Sequence, residues 1–452
     1  MIKKNDIIES EIYSLTNECY GVGKADGMVI FVPFSAIGDN LRIRILKVNK
    51  TYAYGKIEEI ITPSPDRISP DCYVFGKCGG CSLRHISYEA ELRAKEQSVK
   101  DAFTRIGGLS PEFLPIIPNG NIDGYRNKLQ MPIGKDKDGD IISGFYAFHS
   151  HRIVPCESCL LQPDIFADIV RRFTELARQE NIPPYDEESG KGVLRHIYLR
   201  RGHYSHEICL CIVATRKMRE FYGIAKKLAG EFPDIKSAVL NINPDKTNVI
   251  LSDKEILLFG ENGRAEITDT MCGNTVSIAP KAFYQVNTPA AERLYAEARV
   301  FAEPEGKTVL DLYCGAGTIG LSMARQAKKI VGVEIIPEAV ENAKANAAAN
   351  GIENAEFICA DAAKAAKILL DRGLKPDVVI VDPPRKGCGE QACEYIARFG
   401  AQRIVMVSCN PATAARDCKY LEELGYRTEK VRAADMFSRT GHVECVVSLS
   451  GK

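Results

Sequence analysis

The alternation of hydrophobic and polar residues predicts a β-rich N-terminal part of the chain. In residues 1–62, short apolar segments are separated by Gly and Pro, and apolar residues alternate with basic ones at Leu41, Ile43 and Ile45. A period of two residues is typical of a strand with one buried face, and several such strands in so short a segment predict a small β-barrel. We therefore expect the first domain to end near residue 62.

The pattern is mixed and mainly strand-like over residues 63–268. A helix is predicted at about 88–106, and we expect it to pack on the last domain. In residues 269–452, predicted strands alternate regularly with helices, and a final strand ends this region. This order predicts an α/β fold with a doubly wound, largely parallel, Rossmann-like sheet, preceded by a mixed α+β central domain.

Composition and charge narrow the range of functions. The chain has 452 residues, with 59 Lys and Arg against 59 Asp and Glu, and this balance excludes a protein that holds a polyanion by bulk charge alone. Two local basic segments, 42–56 and 191–218, are interpreted either as solvated strand faces or as nucleic-acid surfaces. No apolar run approaches the roughly 18 residues of a membrane span, and residues 1–10 lack the apolar stretch of a signal peptide. We expect a cytoplasmic protein without membrane contact.

A glycine-rich turn follows the first strand of the C-terminal domain. Gly315, Gly317 and Gly320 match G-x-G-x-x-G, and Glu334 ends the next strand, where an acidic residue would bond ribose hydroxyls. Ligands of such sheets bind beyond the carboxyl ends of the strands. The turn predicts a nucleotide-like cofactor and leaves S-adenosylmethionine and a nicotinamide dinucleotide as alternatives.

Three later motifs favour methyl transfer. The fourth strand ends in DPPRKG, which begins at Asp382 and has Arg385 where amine methyltransferases carry a stacking aromatic residue. The fifth strand ends at Cys409 in SCNP, and the last strand opens at Glu444 in HVE. Each residue alone is more often structural. A thiol and a carboxylate on one rim with a methyl donor, however, suit the covalent activation of an inert carbon such as C5 of uracil.

In this order, the motifs resemble those of the RNA uracil-5 methyltransferase family, whose members make 5-methyluridine. The likeness rests on FYQVN (residues 283–287), DLYCGAGTIGL, DPPRKG, SCNP and HVE. It implies a class I methyltransferase domain in which Cys409 is the nucleophile and Glu444 the base. It also implies that the S-adenosylmethionine pocket is lined by Gln285, Tyr313, Glu334 and Asp382.

Two further segments resemble this family. The N-terminal barrel is similar to a TRAM domain, an OB-like RNA-binding module, through GVGKADG at residues 21–27 and the pairs Val32-Pro33 and Gly38-Asp39. YRNK at residues 125–128 resembles a family stretch before the central domain, for which RNA contact is predicted. The resemblance therefore extends the RNA-binding interpretation beyond the catalytic domain.

Three cysteines lie close together in the sequence, as Cys72-x5-Cys78-x2-Cys81. A fourth ligand must come from elsewhere, with Cys156 and Cys159 as candidates. The spacing leaves an iron–sulfur cluster, a zinc ion and ordinary thiols open. Ribosomal members of the family carry a 4Fe-4S cluster on this spacing. The resemblance thus implies such a cluster, with the ligands Cys72, Cys78, Cys81 and Cys159.

Together these observations predict a cytoplasmic RNA methyltransferase with three domains. They are a TRAM-like barrel (1–62), a central iron–sulfur domain with an RNA-binding surface (63–268) and an S-adenosylmethionine-dependent catalytic domain (269–452). The expected substrate is a uridine of 23S rRNA, flipped out of its stack, with no obligate protein partner. Transfer RNA is the alternative substrate, and a non-catalytic RNA-binding protein and an NAD-dependent oxidoreductase are the alternative classes.

Overall fold

The computed structural model describes residues 2–451 and begins with a six-stranded sheet that closes into a barrel. Its strands are β1 (Ile7–Glu11), β2 (Ser14–Leu15), β3 (Tyr20–Ala25), β4 (Met28–Pro33), β5 (Asn40–Val48) and β6 (Tyr52–Thr62). They run in the order β1-β5-β6-β4-β3-β2. Since β1 and β2 are successive parts of one stretch of chain, their pairing with β5 and β3 curls the sheet onto itself.

The barrel core follows the alternation of its strands. Leu41, Ile43 and Ile45 of β5 are fully buried, whereas Arg42 and Arg44 between them are partly exposed. The buried side chains pack against Ile30, Val32 and Ala53 of β4 and β6, and against Ile12, which lies between β1 and β2. One face of each strand is therefore buried in the core, and the other face lies at the surface.

A segment without regular structure leads from the barrel to helix α1 (Tyr88–Asp101). The Ser87 side chain accepts a hydrogen bond from the Ala90 backbone N–H and caps this helix. A π-helical turn (Ala102–Gly107) continues it, so the helical segment ends near the predicted residue 106, and strand β7 (Glu112–Ile117) follows. Phe103 of this turn is fully buried in the core of the C-terminal sheet.

The central part of the chain is a seven-stranded mixed sheet in the order β10-β9-β8-β11-β12-β13-β14. Its elements are β8 (Lys128–Lys135), β9 (Ile141–Tyr146), β10 (Ile153–Pro155), α2 (Asp164–Gln179), β11 (Leu194–Arg201), β12 (Ile208–Ala214), α3 (Glu220–Glu231), β13 (Ile235–Ile242) and β14 (Glu255–Phe259). Apolar residues of α2 and α3 cover one face and form a single buried cluster with the strands. This sheet has its own core, as the sequence pattern predicted for a mixed α+β domain.

The C-terminal part contains a two-stranded hairpin and a large sheet covered by helices. Its elements are β15 (Ile267–Met271), β16 (Asn274–Ile278), α4 (Thr288–Ala302), β17 (Thr308–Leu312), α5 (Thr318–Met323), β18 (Lys329–Glu334), α6 (Pro337–Ala349), β19 (Ala355–Cys359), α7 (Ala362–Asp371), β20 (Val378–Val381), α8 (Glu390–Arg398), β21 (Arg403–Ser408), α9 (Pro411–Glu423), β22 (Tyr426–Ala434) and β23 (Glu444–Gly451).

The eight strands of the large sheet run in the order β19-β18-β17-β20-β21-β23-β22-β7. The first five are parallel, and β23 is inserted antiparallel between β21 and β22. Helices α4 and α5 pack on one face, and α7, α8, α9 and the end of α1 pack on the other. This is the doubly wound α/β fold expected from the sequence.

The position of strand β7 does not agree with the predicted domain boundaries. The boundary at residue 268 leaves residues 112–117 in the central domain, whereas β7 pairs in parallel with β22 at the edge of the C-terminal sheet. The two strands are some three hundred residues apart in sequence, and a local pattern of apolar residues carries no sign of such pairing.

Among residues 2–451, no helix is both long and apolar enough to cross a membrane.

A buried ionic network fastens α1 to the segment that precedes β23. The Lys95 Nζ atom donates to Glu91 Oε1 at 2.8 Å and to Asp435 Oδ1 at 2.7 Å. The Tyr88 hydroxyl donates to Asp435 Oδ2 at 2.8 Å, and the Arg439 backbone N–H donates to Glu91 Oε1 at 2.7 Å. The Lys95 side chain is 3% exposed and both carboxylates are fully buried. The Arg439 guanidinium adds a second cation at 3.6 Å from Glu91 Oε2, so two buried cations balance two buried acids.

Lys95→Met is therefore expected to destabilise the chain by about 3–5 kcal/mol, because it leaves the buried Asp435 carboxylate without its cation and Glu91 with only the longer pair to Arg439. The matched control on the same helix is Lys100→Met, which removes a partly exposed pair with Glu96 and is expected to cost less than about 1 kcal/mol. Urea unfolding followed by circular dichroism measures both. Equal losses for the two variants would contradict this interpretation.

Candidate active site

The glycine-rich turn after β17 wraps closely around the end of that strand. Tyr313, Gly315 and Gly317 have positive φ angles of 65°, 55° and 79°. A Cβ atom at Gly317 would lie 2.9 Å from the Phe357 ring, so this position requires glycine. A Cβ atom at Gly315 would meet nothing within 4 Å. The backbone at Gly315 is therefore open to a ligand.

Glu334 ends β18 and is held against this turn. Its Oε2 atom accepts a hydrogen bond from the Gly315 N–H at 3.1 Å. Its Oε1 atom accepts from the backbone N–H groups of Ile335 and Ile336 at 2.8 and 2.9 Å. Because three backbone donors fix the carboxylate, Glu334 has a defined position beside the turn. Ile335 and Ile336 are 60% and 53% exposed and add an apolar surface next to it.

Two carboxyl groups at the ends of β17 and β20 lie in a poorly solvated place. Asp311 Oδ2 accepts from the Gly320 N–H at 3.0 Å, whereas Asp311 Oδ1 is buried and has no partner among the described residues. Burial raises the pKa of Asp311 to about 7, and the charge of Asp382 adds to this rise. Burial alone raises the pKa of Asp382 to about 7. Such carboxyls favour a cationic ligand, since an opposite charge offsets their desolvation.

Tyr295 of α4 is a site residue that the sequence analysis did not single out. Its ring is 2% exposed, and its hydroxyl accepts a hydrogen bond from Thr318 Oγ1 at 3.5 Å. Burial and the charge of Asp382 raise the pKa of Tyr295, and a hydrogen bond with the Gln285 side chain opposes this rise. Tyr295 thus bonds to the predicted pocket residue Gln285 and lies near enough to Asp382 to feel its charge. In the sequence it has only the helical spacing of a core residue.

Tyr313 lies on the same rim but faces its other side. Its ring packs at the edge of the core cluster that includes α7, α8 and α9. Burial raises the pKa of Tyr313, and the charges of Cys388 and Asp361 raise it further. Asp361 caps α7 by accepting from the Lys364 N–H at 3.1 Å. Tyr313 therefore packs on the face of the sheet that α7, α8 and α9 cover, whereas Tyr295 belongs to α4 on the other face.

The antiparallel pairing of β21 with β23 brings Cys409 and Glu444 together. Ser408 pairs with Cys445. Because the strands are antiparallel, the residue after Ser408, which is Cys409, lies opposite the residue before Cys445, which is Glu444. Side chains that are directly opposite in antiparallel strands point to the same face. Cys409 is half-buried and Glu444 is 8% exposed. A thiol and a carboxyl thus meet at the carboxyl end of the parallel strands.

The charges of Asp382 and Arg385 act on both of these groups. Burial and the charge of Asp382 together raise the pKa of Glu444 to about 8, although the charge of Arg385 opposes this rise. Burial also raises the pKa of Cys409, as do the charges of Glu444 and Asp382. The Arg385 guanidinium opposes this rise by its charge and by a hydrogen bond to the sulfur. Burial therefore holds the protons on both groups, and Arg385 is the neighbour that favours their charged forms.

The basic segment 191–218 contains two arginines that are structural. Arg195 is 3% exposed, and its Nη1 atom donates to the carbonyls of Asn243 and Asp245 at 3.0 and 2.7 Å. Arg200 is 2% exposed and donates to several backbone carbonyls of residues 279–284. The interpretation of this segment as an RNA surface is wrong for both residues. Arg200 instead holds the stretch that leads to Gln285.

The YRNK stretch also has a structural role at two of its four positions. The buried Tyr125 hydroxyl donates to the Ser438 carbonyl at 3.0 Å. The Asn127 side chain is buried and donates to the Gln285 carbonyl at 3.0 Å and to Thr288 Oγ1 at 3.2 Å. These bonds attach the central part of the chain to both edges of the candidate active site. RNA contact by Tyr125 and Asn127 is therefore excluded by their burial in this structure.

Most of the predicted cluster ligands gather in one place. Cys72, Cys78 and Cys159 pack with the buried Cys156 in an apolar cluster, and Cys81 is close enough for the charges of Cys78 and Cys159 to raise its pKa. Within residues 2–451, however, no group of three or more His, Cys, Asp or Glu side chains has an arrangement that would hold a metal ion. The structure thus brings the thiols together without forming a ligand set.

Comparisons with known proteins identify the family. The family model described as tRNA (Uracil-5-)-methyltransferase matches residues 273–452, and the TRAM domain model matches residues 6–57. An uncharacterized RNA methyltransferase of Halalkalibacterium halodurans is 41% identical over 100% of this chain and 98% of its own length. The chain belongs to the RNA uracil-5 methyltransferase family. A Clostridium tetani relative with the same description is 41% identical over 99% of this chain and 97% of its own length.

The solved structures include a full-length relative of this RNA methyltransferase. The Pyrococcus abyssi tRNA (uracil-54, C5)-methyltransferase in complex with S-adenosyl-L-homocysteine has a TM-score of 0.77 and 29% identity. The match covers 98% of this chain and 100% of that chain. The predicted TRAM domain, the class I catalytic fold and the use of S-adenosylmethionine for RNA methylation are thereby confirmed.

Proposed function

We propose that this methyltransferase transfers the methyl group of S-adenosylmethionine to carbon 5 of a uridine in RNA through a covalent adduct with Cys409. The observation that carries the proposal is the pairing of Ser408 with Cys445, which sets the Cys409 thiol beside the Glu444 carboxyl at the rim of the glycine-rich turn. Uracil C5 is a poor nucleophile until a thiolate adds to C6, so the reaction needs a thiol, a base and a methyl donor in one place.

The roles of the chain's own residues follow from this chemistry. Bound S-adenosylmethionine would supply an electrophilic methyl group, with the electrons of the broken S–CH3 bond kept by the departing S-adenosyl-L-homocysteine. The Cys409 sulfur forms a bond to C6, and the electrons of the C5–C6 double bond move to O4 as an enolate, from which C5 takes the methyl group. Glu444 then removes the proton from C5, the C5–C6 double bond forms again, and the Cys409–C6 bond breaks with release of the thiolate. Arg385 favours the thiolate through its positive charge.

We assign the cofactor pocket to the predicted residues and to one more. Gln285, Glu334, Asp382 and Tyr313 surround the glycine-rich turn, and Tyr295 hydrogen-bonds within the same group. The poorly solvated carboxyls at the strand ends match a ligand that carries a sulfonium and an ammonium charge. Glu334 matches the ribose hydroxyls of the same ligand. The pocket chemistry supports S-adenosylmethionine rather than a nicotinamide dinucleotide, whose pyrophosphate is negatively charged.

Cys409→Ala is expected to abolish both turnover and the covalent adduct with RNA that contains 5-fluorouridine, because it removes the thiol that adds to C6. Glu444→Gln is expected to accumulate a methylated adduct on ordinary RNA and to slow its release by about 10²–10⁴-fold, the usual contribution of a general base. Labelled RNA–protein complexes on denaturing gels measure the adduct.

In the wild type, release should accelerate as the pH rises through about 8, since burial raises the pKa of Glu444 to that value.

Two results would contradict these roles. One is release from Glu444→Gln at the wild-type rate, since another group would then act as the base. The other is an adduct in Cys409→Ala. Cys359→Ser is the matched control, because Cys359 is an exposed thiol at the end of another strand of the same sheet, and its adduct formation should equal that of the wild type.

We propose 23S rRNA as the substrate and the cytoplasm as the place of action. The support is the joint presence of a TRAM domain and a gathered set of cysteines, which resembles ribosomal members of the family. Transfer RNA is the second candidate, because the Pyrococcus abyssi enzyme that matches the whole chain is a tRNA methyltransferase. The shared architecture leaves the choice between these RNAs to experiment. No obligate protein partner is part of the proposal.

Mapping of 5-methyluridine in a deletion strain is expected to reveal a site that is lost from 23S rRNA and restored by the wild-type gene but not by Cys409→Ala. The same strain's tRNA provides the internal comparison, because both RNAs are analysed from one culture. Loss of the modification from tRNA alone would overturn the rRNA assignment and leave the chemistry intact. Unchanged 5-methyluridine in both RNAs would contradict the proposed function.

We further propose that Cys72, Cys78, Cys81 and Cys159 bind a 4Fe-4S cluster. The donors are all thiols gathered in an apolar neighbourhood, and cysteine-only ligation of this kind is typical of iron–sulfur clusters. Cys156 is the less suitable fourth ligand, because this residue is 3% exposed and its sulfur already donates to the Ser158 carbonyl at 3.1 Å. The cluster would tie the segment before α1 to the central sheet.

Anaerobically purified protein is expected to contain about four iron atoms and four sulfides per chain and to show an absorption band at about 400 nm. Cys159→Ser should lose both signals, whereas Cys156→Ser should keep them, since only the first removes a proposed ligand. A colourless wild type with zinc or without metal would overturn the cluster. Loss of iron from Cys156→Ser with retention in Cys159→Ser would exchange the fourth ligand.

A further inference from the structure

A turn of the N-terminal barrel contacts the chain segment that leads to Glu444. The turn spans residues 16–19 between β2 and β3, and we call it the barrel turn. At Gly441, three residues before Glu444, an added Cβ atom would lie 2.5 Å from the Cys19 Sγ atom and 2.9 Å from the Asn17 backbone oxygen. Both distances are below the 3.0 Å that Cβ atoms keep from other heavy atoms, so the Gly441 backbone lies directly against the barrel turn.

Glycine at position 441 serves this close approach and not a special backbone conformation. The φ angle of Gly441 lies outside the left-handed region, so the backbone itself would accept alanine. Gly315 is the opposite case, because its φ angle is 55° and a Cβ atom there would meet nothing within 4 Å. The missing side chain of Gly441 is therefore needed for the contact between the barrel and the catalytic domain.

The barrel turn is held firmly in place. The Cys19 N–H donates to the Thr16 carbonyl at 2.8 Å, and the Thr16 N–H donates to the Tyr20 carbonyl at 2.8 Å. The Asn17 Oδ1 atom accepts a hydrogen bond from the Ser98 hydroxyl of α1 at 2.8 Å. Cys19 is buried in an apolar cluster with Ala36, Leu83, Ile86 and Ala90. The turn is thus fixed by its own hydrogen bonds, by α1 and by packing.

The segment that carries Gly441 has fewer bonds to the rest of the chain. The Arg439 carbonyl accepts from two backbone N–H groups of the segment before α1, at 2.9 and 3.1 Å. Beyond that point, and within residues 2–451, the hydrogen bonds of residues 440–443 stay inside residues 437–443. Val443 is buried in the core of the large sheet. Between these two fixed points, the barrel turn bears on Gly441.

This segment reaches the charged rim of the active site. Burial lowers the pKa of His442, and the charge of Arg385 lowers it further. The same Arg385 charge acts on Glu444. Even a fully extended chain spans at most about 11 Å over the three residues from Gly441 to Glu444. A displacement of the backbone at Gly441 therefore acts close to the first residue of β23.

We propose that Gly441 is a positioning residue for Glu444: its missing side chain lets the barrel turn support the segment before β23, which fixes the carboxyl relative to the proton on C5. The inference rests on the proposed function, because it takes Glu444 as the base. It gives the N-terminal barrel a part in the proton-removal step. An alanine at position 441 must displace either the firmly held barrel turn or the less bonded segment, and the segment is the one that moves.

Gly441→Ala is expected to slow the release of the methylated adduct at least about tenfold, because proton removal depends steeply on the position of the base. Adduct formation with 5-fluorouridine RNA should stay within about twofold of the wild type, since Cys409 follows another strand. Single-turnover decay of labelled adduct on denaturing gels measures release. Only folded chains form the adduct, so the decay constant does not depend on the folded fraction.

Gly223→Ala is the matched control for this substitution. Gly223 is an exposed residue of α3, and a Cβ atom there would meet nothing within 4 Å. Its release rate should stay within about twofold of the wild type, as is usual for a site that shares no contacts with the base.

The pH dependence of release separates a positioning role from a general loss of stability. Burial and the charge of Asp382 raise the pKa of Glu444 to about 8. Displacement of this carboxyl toward water should move the midpoint of the release profile of Gly441→Ala to lower pH by at least about half a unit. Asp382, Arg385 and Cys409 are unchanged in the variant, so the midpoint reports the surroundings of Glu444. A chain that is merely less stable would keep the wild-type midpoint.

A second substitution tests the contact itself. Cys19→Ala removes the sulfur atom nearest to the added methyl group and is expected to restore release in the Gly441→Ala background. The double variant should release within about threefold of Cys19→Ala alone, because the effects of two touching side chains are not additive.

Wild-type release from Gly441→Ala would overturn the positioning role. Slow release with an unchanged midpoint, or without rescue by Cys19→Ala, would also overturn it. Failure of the proposed function gives a different result, which is wild-type release from Glu444→Gln. A chain that releases slowly as Glu444→Gln but normally as Gly441→Ala would therefore refute the positioning role alone.

Discussion

The antiparallel insertion of β23 beside β21 is the constraint on which the active site depends. In a purely parallel sheet, the first residue of a strand lies at the edge opposite to the last residue of its neighbour. Reversal of β23 brings its first residue, Glu444, to the edge where β21 ends at Ser408. Cys409 and Glu444 are 35 positions apart in the sequence. Their contact is therefore fixed by backbone pairing, and a shift of one residue would turn one of them to the other face.

The same edge concentrates buried carboxyl groups whose negative charge the chain itself leaves largely unbalanced when they ionise. Asp311, Asp382 and Glu444 are buried enough for their pKa values to rise to about 7, 7 and 8. Arg385 is the cation whose charge reaches Glu444, and it is exposed. A cationic ligand at this edge stabilises the ionised carboxyls and lowers their pKa values. Binding of a cationic ligand and ionisation of Glu444 are thus coupled by simple electrostatics.

The sequence predicted the parts of the site that follow from strand ends, because parallel strands collect their carboxyl ends at one edge whatever lies between them. It failed where the deciding contact is distant in sequence. One such contact is the pairing of β7 with β22. Another is the set of hydrogen bonds from Arg200 to carbonyls near Gln285, because the sequence pattern of a basic residue in a strand is the same whether its side chain faces water or backbone oxygen atoms. Tyr295 was missed for a similar reason, since helical spacing identifies a buried face but gives no sign of a hydroxyl that reaches a pocket.

The ties between the parts of the chain converge on the segments that flank the active site. Lys95 and Tyr88 fix Asp435, and Tyr125 bonds to Ser438, so the segment before Glu444 is held from two sides. On the other side of the pocket, Asn127 holds the Gln285 backbone. None of these side chains can touch an RNA base at the active site, because each is used in a buried bond. Specificity for RNA must therefore come from exposed groups, and the scaffold's contribution is to keep the thiol, the carboxyl and the cofactor turn in a fixed relation while RNA binds.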